Sequence, residues 1–135
     1  MMTLVDIRNR HFISAVKNLI DALPSGAPVD IEAVAARAAM QPAPTYYCTY
    51  EYALRMLRVY RHGRLRLRRD RRFALWTELN SRVSRLMERR HVSLPEALAN
   101  VLADGHASQF FIAPATAASL ARRYYDSRTK TMILP

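Results

Sequence analysis

The chain has 135 residues, 50% hydrophobic and 24% charged, which suits one folded domain of ordinary size and excludes a disordered polyelectrolyte. A single cysteine, Cys48, excludes an intrachain disulfide, and a chain of this length buries enough surface to do without one. Lys and Arg number 21 against 11 Asp and Glu, a formal net charge of +10, so polyanions are the favoured partners and basic ones are disfavoured.

The opening run Met1-Met2-Thr3-Leu4-Val5 is broken by Asp6, too short for a secretory core or a spanning helix, and no later stretch reaches 18 apolar residues. A cytoplasmic protein without membrane insertion is expected. Phe12, Ile13, Val16, Ile20 and Leu23 recur at three- and four-residue spacing, which predicts a first helix near 9–23. Pro24-Ser25-Gly26-Ala27-Pro28 is a loop, after which Asp30 caps a second helix reaching about Met40. Gln41-Pro42-Ala43-Pro44 is a second loop, and a third helix runs from near Thr49 to about Tyr60.

From Arg64 to Arg68, Arg and Leu alternate as in a strand, but no pairing partner is evident, and 61–70 reads as an Arg-rich linker. The fourth helix, near 71–88, has Leu75, Trp76, Leu79, Val83 and Leu86 on its apolar face. Arg71, Arg82, Arg85 and Arg89 form a neighbouring stripe that includes Glu78. Ser93 with Glu96 makes a capping box for a fifth helix ending near Ala103. Pro114 opens a sixth, because proline at the first helical position forfeits no hydrogen bond. That helix is expected to stop at about Tyr125, leaving 126–135 as a tail with apolar Met132-Ile133-Leu134.

The chain matches itself at a shift of 63 to 64 residues. Phe12, Ile13, Val16, Ile20 and Leu23 fall on Leu75, Trp76, Leu79, Val83 and Leu86, and Val29-Asp30-Ile31 falls on Val92-Ser93-Leu94. One inserted residue then aligns Glu32-Ala33-Val34-Ala35 with Glu96-Ala97-Leu98-Ala99, and later Tyr46-Tyr47 with Phe110-Phe111. The expected fold is therefore all-α: two tandem, sequence-related three-helix units, 1–60 and 71–125, forming a compact helical domain.

The charge is not spread evenly. Residues 1–60 and 91–135 each carry a net +1, whereas 61–90 carry +8. The candidate phosphate-contacting residues are Arg61, Arg64, Arg66, Arg68, Arg69, Arg71, Arg72, Arg82, Arg85 and Arg89, since so dense a cluster repels itself unless an anion relieves it. Tyr46 and Tyr47 lie among arginines and could stack on bases. Packing is the stronger reading for them, because the second unit has Phe at both places. A helix-turn-helix built from the second and third helices is strained by a connection of about eight residues where three or four are usual. Its reader would also offer few polar side chains, Arg55 and Arg58 in one unit and Ser119 and Arg122 in the other.

Enzymatic signals are sparse. His11, His62, His91 and His106 are scattered without metal-ligand spacing, and only Gly26, Gly63 and Gly105 exist to form a phosphate loop. Cys48 reads as a small hydrophobe, and a Tyr46 or Tyr47 nucleophile would lack a general base. The expectation is a non-enzymatic nucleic-acid-binding protein, DNA ahead of RNA, with little base specificity and no metal or cofactor. The alternative is an interaction module that docks an acidic protein.

Overall fold

The computed structural model describes residues 2–65 and 71–133. The protein is all-α, with six helices: α1 (Leu4–Asp21), α2 (Ile31–Ala39), α3 (Tyr50–Arg61), α4 (Arg71–Arg90), α5 (Leu94–Asp104) and α6 (Pro114–Ile133). No strand occurs among the described residues.

Local chemistry explains the helix starts. Asp30, Thr49 and Ser93 are the N-caps of α2, α3 and α5, each accepting from the backbone N–H three residues on. α1 begins earlier than its apolar spacing indicates because Thr3 and Asp6 form a reciprocal capping box. Asp6 N donates to Thr3 Oγ1 and Thr3 N to Asp6 Oδ2, both at 3.1 Å. An aspartate stands where the usual box has Glu or Gln, which hides it from the standard pattern. Those bonds, the one from the Thr3 backbone foremost, hold the Asp6 carboxyl below its ordinary range.

The expected tail at 126–135 is corrected. α6 continues to Ile133, since no proline or glycine interrupts the chain between Ala115 and Leu134. Arg128 also ties this extension to α1 through an ion pair with Asp21 at 2.8 Å. Of the expected linker 61–70, Arg61 still belongs to α3, and Arg66, Arg68 and Arg69 lie outside the described residues.

Two compact units result, and they do not follow the sequence division into 1–60 and 71–125. The first comprises Met1–Ala43 with Ser108–Pro135, hence α1, α2 and α6; the second is Pro44–Ala107, hence α3, α4 and α5. The third helix of each sequence unit thus belongs to the other compact unit. In both cases the change occurs in the loop before that helix. Each loop carries a buried alanine (Ala43, Ala107), a buried aromatic (Tyr46, Phe110) and a second aromatic in the left-handed region (Tyr47 at φ 59°, Phe111 at φ 52°). A left-handed aromatic costs on the order of 1–2 kcal/mol, so its presence in both loops marks a specified backbone conformation there.

In the first unit α2 packs on both α1 and α6. Its core joins Phe12 and Val16 to Val34, Ala35 and Ala38, with Ala117 and Ala121 of α6 close against them. Phe110 closes this core, edge-on to Phe12 at 5.7 Å, and its N–H is pinned to Ala39 O at 3.0 Å. The second unit is centred on Leu57, Trp76, Leu79, Val83, Leu98 and Val101. One face of α4 meets α3: Trp76 is edge-on to Tyr52 at 5.7 Å, and Thr77 accepts from the Tyr60 hydroxyl at 3.1 Å.

The buried positions of the two halves match at two spacings. Val34, Ala35 and Ala38 are buried as are Ala97, Leu98 and Val101, a spacing of 63. Ala43, Tyr46, Ala53 and Leu57 pair with Ala107, Phe110, Ala117 and Ala121 at 64. The spacing therefore changes after α2 and α5, where α5 runs longer and ends on Gly105, and not before them.

Candidate nucleic-acid interface

The basic residues of the second unit concentrate on α4. His91, in the left-handed region at φ 55°, begins a three-residue turn that folds α5 back along the C-terminal half of α4. Arg82, Arg85 and Arg89, spaced three and four residues apart, share the stripe of α4 that borders this hairpin.

Arg82 is the best-fixed member of the stripe. Its Nη1 donates to the Tyr46 hydroxyl at 2.7 Å and to His106 O at 2.6 Å, while Nη2 lies 3.5 Å from Asp104 Oδ2. The guanidinium also sits over the Tyr46 ring, 5.5 Å from its centroid. Tyr46 in turn bonds the Glu78 carboxylate, so a polar chain runs from Glu78 through Tyr46 and Arg82 to Asp104. Burial pushes the Tyr46 phenol up to about 12, opposed by the hydrogen bond from Arg82 and reinforced by Glu78.

Between the helices lies a cleft of about 350 Å³, lined by Arg82, Arg85, Leu86, Arg89 and Arg90 of α4 and by Asn100, Val101 and Asp104 of α5. Asp104 is the one acidic group in that lining. Arg85, Arg89 and Arg90 are exposed and make no ion pair among the described residues. In the first unit, by contrast, Arg122 pairs with Glu32 at 2.6 Å and Arg128 with Asp21. Arg89 and Arg90 occupy the last turn of α4, where the negative end of the helix dipole offsets part of their mutual repulsion.

The ten arginines expected to act together are only partly gathered. Arg82, Arg85 and Arg89 line the cleft. Arg61 instead donates to Asn80 Oδ1 at 3.0 Å and Ser84 Oγ at 2.8 Å, on the opposite face of α4. Arg64 and Arg72 are exposed but do not line the cleft, Arg71 opens α4, and Arg66, Arg68 and Arg69 fall outside the described residues. Arg90, Asn100 and Asp104 join the lining without having been singled out. The hairpin register of α4 and α5, implied by their three-residue connection, is the signal that would have found the two on α5.

Tyr46 is corrected as a base-stacking candidate. It is 5% exposed, and Arg82 already covers its ring. Tyr47 is half-buried, with its N–H directed to Thr45 Oγ1 at 3.4 Å. The helix-turn-helix reading meets a related obstacle, because α2 and α3 fall in different compact units, as do α5 and α6. Cys48 is half-buried, and burial pushes its thiol up to about 11, so the thiolate is scarce at neutral pH. Among the described residues, no three His, Cys, Asp or Glu gather as a metal site, and no helix is long and apolar enough to cross a membrane.

No family model, no curated protein and no solved structure matches this chain.

Proposed function

We propose that the protein binds nucleic acid without catalysing a reaction, using the C-terminal half of α4 and the arginines of the preceding junction. The observation that carries this reading is the gathering of four arginines around one cleft. Arg82, Arg85, Arg89 and Arg90 surround a cleft whose one acidic lining residue, Asp104, already serves Arg82, while Arg122 and Arg128 of the first unit are each met by a carboxylate. Phosphate contacts of this kind confer affinity and orientation but no sequence preference. DNA is the first ligand to test, and the cytoplasm is the expected location. We also read the two units as copies of one three-helix unit whose third helices are exchanged.

The test is the salt dependence of binding to duplex DNA. If about four to five phosphates are neutralised, the log–log slope lies near −4. Arg85→Gln/Arg89→Gln should make it shallower by about two. An affinity indifferent to salt sinks the proposal. Equally tight binding to polyglutamate transfers the same face to an acidic protein.

A further inference from the structure

We propose that the α4–α5 cleft is a site for a phosphate group carrying two negative charges, a monoester or the end of a polyphosphate, in preference to a backbone phosphodiester. The inference deepens the nucleic-acid reading where that group is a strand end, but the cleft chemistry stands without it.

Three features of the cleft lead there. First comes its shape: at about 350 Å³ between two helices, it falls in the size range of small-ligand sites. A strand end or a compact anion enters such a recess, whereas a continuous duplex lies across its mouth.

The second feature is charge. Four guanidiniums face one carboxylate, Asp104, leaving an excess of three positive charges. A phosphodiester supplies one negative charge. A monoester supplies nearly two above its second pKa of about 6 and adds a further acceptor oxygen. Asp104 opposes the anion weakly, because its side chain is 77% exposed and solvated.

The third feature is preorganisation. Arg82 has three of its five N–H donors engaged by Tyr46, His106 and Asp104, which fixes the side chain and leaves two donors. Binding through it forfeits little rotamer freedom, unlike binding through a loose surface arginine. Asn100 is likewise held, its Nδ2 donating to Glu96 O at 2.9 Å with a second N–H remaining. Arg85, Arg89 and Arg90 then close on the anion from the rim.

The experiment compares a short single strand bearing a 5′-phosphate with the same strand bearing a 5′-hydroxyl, by fluorescence anisotropy at fixed salt, and titrates inorganic tripolyphosphate by calorimetry. The phosphorylated strand should bind about tenfold tighter at pH 7.5, with the advantage shrinking at pH 5.5 as the monoester takes up a proton. Arg85→Gln/Arg89→Gln should abolish the advantage and Arg64→Gln/Arg66→Gln should keep it; both pairs are expected to fold normally, checked by an unchanged thermal midpoint. Tripolyphosphate bound by the wild type but not by Arg85→Gln/Arg89→Gln, with no strand bound, supports the cleft and defeats the nucleic-acid reading. Equal binding of both strands with no tripolyphosphate binding overturns the cleft while leaving nucleic-acid binding intact. A phosphate advantage that survives Arg85→Gln/Arg89→Gln also overturns it.

Discussion

The polar chain through Tyr46 and Arg82 is best tested by a double-mutant cycle, Tyr46→Phe with Arg82→Leu. Arg82 makes two short bonds, to the Tyr46 hydroxyl and to His106 O. Hydrogen bonds to a charged partner contribute roughly 1.5–3 kcal/mol each when fully formed. The Arg82 side chain is 28% exposed, so water recovers part of any loss and each bond falls below that range, to about 1 kcal/mol. Tyr46→Phe should therefore cost about 1 kcal/mol. Arg82→Leu should cost about 2 kcal/mol, because it strands a buried phenol on Glu78 alone and frees His106 O.

The double substitution should cost clearly less than the sum, with a coupling of about 1 kcal/mol, since neither partner is then left orphaned. At the corresponding positions of the first unit, 63 or 64 residues away, stand Leu19 and Phe110, with Ala15 in place of Glu78. The double variant thus imports a pairing that the first unit already accommodates. Urea unfolding followed by Trp76 fluorescence is the assay. Trp76 is the only tryptophan and is 2% exposed in α4, so the signal reports the second unit. Additivity of the two costs within about 0.3 kcal/mol would refute the claim that these residues act as one network.

Two further outcomes follow from backbone and titration. Gly105→Ala places a Cβ 2.8 Å from Pro44 O at φ +74°, against backbone that cannot yield. It should destabilise by about 2–3 kcal/mol, whereas Gly63→Ala, at φ +68° with open space, should cost about 1 kcal/mol; equal shifts in thermal midpoint would contradict the close approach. Tyr46, with its folded pKa raised to about 12 from 10.0, favours the neutral phenol in the native state. Its contribution is fully present below pH 10 and is lost as pH rises through about 12, roughly 2–3 kcal/mol in all. The wild type's advantage of about 1 kcal/mol over Tyr46→Phe should therefore vanish and then reverse across that window in alkaline unfolding curves, and parallel curves would dismiss the mechanism.

Helices were legible wherever local chemistry specifies them. Asp30, Thr49, Ser93 and Pro114 announce their helices because a cap bonds backbone within its own first turn. Thr3 went unread only because Asp6 replaces the usual partner. The end of α6 follows from the absence of proline or glycine after Ala115, and the ion pair that ties this extension to α1 joins Arg128 to Asp21, more than a hundred residues away in the chain.

Tyr46 shows the limit of comparing one half of the sequence with the other. Phe110 suggests that a hydroxyl is dispensable at this place. Yet Tyr46 has Arg82 and Glu78 as partners, where the first unit has Leu19 and Ala15. The hydroxyl is dispensable only where its partners are missing as well.

By itself, then, the sequence determined an all-α chain of six helices, the starts of α2, α3, α5 and α6, the apolar stripes of α1 and α4, and the concentration of charge between residues 61 and 90. Those properties arise from periodicity, caps and counting, which act over one or a few turns. Tertiary structure alone decided that α3 packs with α4 and α5 while α6 packs with α1 and α2. It also decided which arginines meet: Arg82, Arg85, Arg89 and Arg90 share a cleft, while Arg61 turns to the opposite face of α4. An apolar stripe demands a cover without naming it, and a basic stripe demands solvent or an anion without saying which neighbours share it. Only the path of the loops at Tyr46-Tyr47 and Phe110-Phe111 supplies that choice.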